Sequence, residues 1–226
     1  MLIIFDLDDT LVDTSGCITP VKLQRALERM IQAGLYVPDF EEALDSLKAI
    51  DRTALSARDS LEAFLTSCCA DLSLLAVGIK EVYDTSSEDL SLLPLEGACE
   101  LLRELSSVHR IALVTRGKLL EQMGKLKKAG IDSGFFSKII VSEETIKKVH
   151  YEALAKAWGY SPEEILVCGD RVAVDLTPAS ELGFKTVQIC WGRGLSSLGF
   201  SSDVDYRISS LGELREIVSR LEKGYE

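Results

Sequence analysis

Residues 1–16 read MLIIFDLDDTLVDTSG. An apolar run over 1–5 is followed at once by four acids, Asp6, Asp8, Asp9 and Asp13. A short continuous apolar run that stops at a polar cluster is the pattern of a strand buried on both faces, as in a parallel sheet. The acids behind it pose an energetic problem. Two like charges at about 4 Å repel by roughly 4 kcal/mol at an effective dielectric of ~20. A fold that gathers them there needs a cation or a basic partner to offset the repulsion.

Runs of the same kind recur at 111–114 (IALV), 139–141 (IIV), 165–168 (ILVC) and 186–189 (TVQI), and a last strand is expected over 204–208. Apolar residues at three-to-four spacing predict helices over 96–105, 119–129, 151–158, 176–182 and 211–221. Three of these end near Gly130, Gly159 or Gly183, where a residue of left-handed conformation closes a helix. Strands alternating with helices of this length predict an α/β fold, a doubly wound parallel sheet with helices on both faces.

The stretch 19–83 reads differently, with helical periodicity throughout and no convincing strand. Ala26, Leu27, Met30 and Ile31 form one apolar stripe, Ala43, Leu44 and Leu47 a second, and Leu61, Phe64 and Leu65 a third. The expected organisation is therefore an α/β core over 1–14 and 85–226, with a small all-helical domain inserted over 15–84.

Composition narrows the function. An apolar share of 46% suffices for a packed core, and the net charge of −11 disfavours nucleic acid and anionic membrane surfaces, which recruit basic faces. No apolar run approaches the roughly 20 residues of a membrane span, and 1–5 lacks the basic start and length of a signal peptide, so a cytoplasmic protein is expected. The six cysteines show no CxxC spacing and read as reduced thiols. The two histidines, His109 and His150, are too isolated for a zinc site or a serine-type triad and read as ordinary solvated side chains.

In an open parallel sheet, ligands sit beyond the carboxyl ends of the strands. The residues found there are Asp6 and Asp8 after the first run, Thr115 and Arg116 after the second, Ser142 and Glu143 after the third, and Asp170 after the fourth. Acids, a hydroxyl and a nearby lysine pair thus converge on one edge.

FDLDDTL (5–11), LVTRG (113–117), a lysine at Lys147 or Lys148, and VCGDRVAVD (167–175) resemble, in order, the four motifs of the haloacid dehalogenase (HAD) superfamily. The resemblance covers 1 to about 190, and the helical insert falls where that family carries its helical cap. It implies a Rossmann-like core and a phosphatase with Asp6 as nucleophile and Asp8 as general acid and base. The residues support the same chemistry by themselves. A carboxylate can attack phosphorus to form an acyl phosphate if a cation offsets the repulsion of two anions. Asp6 sits where the strand ends, and Asp8, two residues on, falls on the same side in extended geometry.

A Mg2+ ion is expected among the oxygens of Asp6, Asp8 (through its backbone carbonyl) and Asp170, because a hard cation takes oxygen ligands. Asp175 matches the second acid of the family's GDxxxxD pattern and binds that metal through water or supports it. Thr115 offers a hydroxyl and backbone donors to the phosphoryl oxygens, and the lysine supplies charge. Lys147, four residues before Tyr151, fits the family's spacing better than Lys148. The chain departs from the pattern in three places: no proline follows the lysine, Arg116 replaces an asparagine, and Arg171 replaces a small hydroxyl residue. Both arginines add positive charge, either on the phosphorylated substrate or on neighbouring acids.

The expected partner is a small phosphorylated metabolite read by the helical insert, with Arg52 and Arg58 as candidates for a second anionic group. Phosphoglycolate, nucleoside monophosphates, sugar phosphates and flavin mononucleotide all fit. A phosphomutase shares the nucleophile and acid, and a non-catalytic phospho-ligand-binding domain shares the fold.

Overall fold

The run that opens the chain forms β1 (Leu2–Phe5), with all four residues sealed from solvent. The computed structural model describes residues 1–84, 90–143, 147–197 and 201–224. After β1 come the helices α1 (Thr14–Cys17), α2 (Thr19–Gln32), α3 (Phe40–Thr53), α4 (Ala57–Ser67) and α5 (Leu75–Asp84). The chain continues through α6 (Ala98–Ser106), β2 (Arg110–Arg116), α7 (Leu119–Lys128), β3 (Lys138–Ser142), α8 (Lys148–Trp158), β4 (Ile165–Gly169), α9 (Thr177–Ser180), β5 (Lys185–Ile189), β6 (Tyr206–Ile208) and α10 (Leu214–Glu222). It divides into two units, Met1–Asp13 with Leu92–Glu226, and Thr14–Ser91.

In the first unit the six strands are all parallel, in the order β3-β2-β1-β4-β5-β6. Strand order reverses direction between β1 and β4, and such a switch point opens a crevice beyond the carboxyl ends of the two strands. Phe5 is level with Leu113 on one side and Cys168 on the other. Asp6 is therefore the first residue past the sheet at the switch, tied to it by its amide, which donates to the Cys168 carbonyl at 3.0 Å. Alternation sends Leu2, Ile4, Ala112, Val114, Ile165 and Val167 to one face, where Tyr151 and Leu154 of α8 and Leu176 and Ala179 pack on them. Two backbone bonds pin the segments that leave and re-enter this unit side by side: Asp13 N donates to Leu93 O and Leu95 N to Leu11 O, each at 2.9 Å.

The helical unit has its own core, in which Leu23, Leu27, Leu47, Leu61, Phe64 and Leu65 meet Met30 and Leu75. α3 and α4 begin at side-chain caps, Asp39 accepting from the Glu42 amide and Ser56 from the Asp59 amide. The sequence names three stripes here; α5 adds a further one, packed on α2 and α4 through Gly78. Arg52 and Arg58 are exposed on this unit.

Three expectations are corrected in the first unit. The helix expected over 176–182 is a π-helical turn, Val172–Leu176, running into the short α9. The last helix begins as a 3₁₀ turn, Leu211–Glu213, because Ser210 and Glu213 form a capping box that tightens the first turn. His109 is not solvated: its side chain is 3% exposed, with Nε2 3.6 Å from Glu222 Oε1. Burial and the nearby N-terminus hold it below the usual histidine range, against Glu222. Among the described residues no helix is long and apolar enough to cross a membrane.

Candidate active site

Past the carboxyl ends of β1 and β4, three acids come together. Carboxylate oxygens of Asp6, Asp170 and Asp175 all lie within 4.8 Å of one another, and all three residues are buried. Asp6 and Asp170 follow directly from their strands. Asp175 arrives by the π turn, a wide turn of a kind frequent at functional sites. Its Oδ2 accepts from the Arg171 amide at 3.0 Å, which folds the side chain back over β4. The approach is so close that a Cβ on Gly169 would lie 2.5 Å from Asp175 Cβ, so position 169 must be bare. From the other side, Gly194 packs on Asp170 and Ile189, and Gln188 Nε2 donates to the Gly194 carbonyl at 3.1 Å.

Lys147, the residue just before α8, extends into this cluster. Its ammonium donates to Asp6 Oδ1 and to Asp175 Oδ1, each at 2.6 Å. Lys148 points elsewhere, pairing with Glu181 at 2.6 Å on the surface. Of the two neighbouring lysines, only Lys147 joins the acids.

Fully ionised, three carboxylates against one ammonium would leave an excess of two negative charges in a buried place. Burial, reinforced by Asp175 and Asp8 and opposed by Lys147, pushes the Asp6 carboxyl up to about 6. Burial and the charges of Asp175, Asp6 and Asp9 raise Asp170 well above the carboxylate range, Arg171 opposing. For Lys147 burial works against the charge, but Asp175 and Asp6 outweigh it and hold the ammonium well above its ordinary value. A hard divalent cation fits this donor set in both respects, since it takes carboxylate oxygens and its charge cancels the excess.

Asp8 lies past the end of β1, its backbone bridged to Val12. The strand ends at Phe5 and the chain turns, Leu11 N donating to Leu7 O at 2.9 Å, with buried Asp9 in the left-handed region at φ 55°. The Asp8 carboxylate is not one of the three clustered acids. It is held by α7 instead: Lys125 Nζ donates to both its oxygens, at 2.7 and 2.9 Å, and Gln122 Nε2 donates to Oδ2 at 3.1 Å. Gln122 also reaches Thr115 Oγ1 at 2.8 Å and the Arg116 carbonyl at 2.8 Å. Thr115 is buried at the end of β2, while the Arg116 side chain is exposed beside it, as is Glu143 beyond β3.

Gln122 and Lys125 are absent from the sequence reading. Their one signal is a glutamine four residues before Leu126 on the stripe that α7 buries. A polar side chain at a core position needs partners.

A sequence profile of haloacid dehalogenase-like hydrolases matches residues 1–183. The chain is 34% identical over 231 residues to a glyceraldehyde 3-phosphate phosphatase of Methanocaldococcus jannaschii, covering 98% of each. It is 31% identical over 228 residues to a glyceraldehyde 3-phosphate phosphatase of Pyrococcus furiosus, covering 97% of this chain and 93% of that one. Its fold resembles the crystal structure of a HAD hydrolase of Bacillus subtilis bound to magnesium, with a TM-score of 0.64, 19% identity, and coverage of 96% and 97%. A profile match over most of the chain, and relatives aligned almost end to end, make this protein a member of the haloacid dehalogenase-like hydrolase family.

Proposed function

We propose that this hydrolase is a magnesium-dependent phosphomonoesterase acting through an aspartyl phosphate on Asp6, with a short sugar phosphate of the glyceraldehyde 3-phosphate kind as substrate. The observation that carries the reading is the buried cluster of Asp6, Asp170, Asp175 and Lys147 past β1 and β4. The substrate class rests on the names of the two relatives at 34% and 31% identity.

Asp6, Asp170 and Asp175 would hold the magnesium, together with the Asp8 backbone carbonyl. When bound, the ion offsets the charge that keeps two anions apart. An Asp6 carboxylate oxygen attacks phosphorus, and the bond from phosphorus to the alcohol oxygen breaks. Asp8, which enters this step as the carboxylic acid, gives that oxygen its proton, so the alcohol leaves neutral. Water then attacks phosphorus, Asp8 takes its proton, and the Asp6 carboxylate is restored as inorganic phosphate departs. Lys147 supplies positive charge to the phosphoryl oxygens while holding Asp6 in place, and Thr115 donates its hydroxyl to them. Arg116, exposed at the end of β2, has no part assigned in these steps, and neither has Lys148.

The experiment is phosphate release from glyceraldehyde 3-phosphate with Mg2+ and with EDTA, for the wild type and Asp6→Asn. Release by the wild type with Mg2+ alone, and none by the variant, is the expected result. Full activity of Asp6→Asn would refute the reading, as would a rearranged sugar phosphate in place of free phosphate.

A further inference from the structure

Helix α7 presents two polar side chains to the turn that follows β1. Gln122 and Lys125 are three residues apart, the spacing that places side chains on one helix face. Gln122 is buried, and the Lys125 side chain is 20% exposed. Pairs this shielded are screened less than surface ion pairs, whose worth is close to nothing. Lys125 grips both oxygens of Asp8, which fixes the rotation of the carboxylate as well as its place. The Gln122 amide nitrogen has two hydrogens and three acceptors around it, Asp8 Oδ2, Thr115 Oγ1 and the Arg116 carbonyl. It therefore ties Asp8 to the end of β2. Because Thr115 Oγ1 accepts from this amide, its own proton stays available to another acceptor.

β1 stops at Phe5, so Asp8 lies beyond the strand, and Lys125 and Gln122 hold its carboxylate there. A proton donor must lie within hydrogen-bond reach of the leaving oxygen, and a misplacement of about 1 Å can cost on the order of 10²-fold in rate.

We propose that Lys125 and Gln122 are positioning residues for proton transfer by Asp8: Lys125 fixes its two oxygens, and Gln122 locks that carboxylate to Thr115. The pair thereby equips the site for phosphate esters of poor leaving groups, alcohols that depart only when protonated. This inference rests on the phosphatase reading above.

The test compares kcat/KM, which covers the steps through loss of the alcohol, for glyceraldehyde 3-phosphate and for p-nitrophenyl phosphate. The second ester needs no proton because p-nitrophenolate leaves unaided. Lys125→Met should lose roughly 10- to 100-fold on the first ester and under about threefold on the second, given the ~10²–10⁴-fold that general acids contribute. Lys125→Arg should restore part of the loss. Gln122→Ala should weaken both esters, the alkyl ester more, because Gln122 also touches Thr115. Equal losses on both esters in a Lys125→Met protein with a cooperative melt would overturn the proposal, assigning Lys125 to phosphoryl binding or to packing. No loss on either ester would overturn it too. A wild type that hydrolyses neither ester removes the phosphatase reading itself, a result distinct from any pattern among the variants.

Discussion

The Lys147 ammonium stands 2.6 Å from the Asp6 carboxylate, and the same nitrogen stands 2.6 Å from Asp175. One buried cation thus spans the residue proposed to be phosphorylated and an acid proposed to hold magnesium. Removing one partner of a buried charge pair costs about 3–5 kcal/mol, because the charge left behind has no water to replace it. Lys147→Met should destabilise the metal-free protein by that order in urea melts, with Mg2+ recovering part of the loss. Phosphate release should fall by about 10²–10³-fold, the scale seen when a preorganised donor is taken from an anionic transition state, and Mg2+ should not recover it. A variant that keeps its rate would remove Lys147 from the chemistry.

Metal removal should expose the strain of the acid cluster. In the metal-free protein Asp6 has a carboxyl near 6, against 3.8 for the unfolded chain. The folded state therefore binds the proton more tightly. Its contribution to stability is present below about pH 4 and is lost as the pH rises through about 6. In EDTA, Asp6→Asn should melt above the wild type at pH 7, and the gap should close toward pH 4. Adding Mg2+ at pH 7 should raise the wild-type midpoint more than that of Asp6→Asn. Two melting curves running parallel from pH 4 to pH 8 would show that Asp6 carries no such penalty.

Part of the site is legible because a parallel sheet gathers its strand ends, so Asp6 and Asp170 can be placed together from runs of a few residues each. The remainder depended on directions that sequence spacing does not encode. Lys147 and Lys148 are adjacent at a helix start, about 100° apart around the axis, and only packing decides which one faces the acids. Asp8 sits past the strand end, as its spacing implies, but the partner its carboxylate meets lies on α7: Lys125, a residue 117 positions away. The π turn has no periodic pattern of its own and reads as ordinary helix. Gly78 interrupts the stripe of α5, although a Cβ there would meet Met30 and Leu61.

That close approach is itself testable. A Cβ at Gly78 would lie 3.0 Å from both Leu61 Cδ1 and Met30 Sδ. Those atoms lie far out on flexible side chains and can yield to one methyl group but not to a branched four-carbon group. Gly78→Leu should therefore lower stability by about 1–3 kcal/mol through overpacking, read from urea unfolding, and Gly78→Ala should cost less. Equal midpoints for the wild type and Gly78→Leu would mean that α5 does not pack as described.

Gly169 offers the sharpest separation between stability and chemistry. An added Cβ would meet the Cβ, Cγ and Oδ2 of Asp175 at 2.5–2.8 Å. Asp175 cannot simply swing aside, since its Oδ2 is held by the Arg171 amide and its Oδ1 by Lys147. Gly169→Ala must therefore displace the π turn or the end of β4, at a cost of about 1–3 kcal/mol. Either movement pulls Asp175 away from Asp6 and Asp170, so the variant should need more Mg2+ for half-maximal phosphate release as well as melting earlier. A concentration series of Mg2+ on the folded variant reads the first effect, and urea unfolding in EDTA reads the second. A wild-type Mg2+ requirement in Gly169→Ala would mean that Asp175 can leave the cluster without consequence, and that Asp6 and Asp170 hold the ion without it.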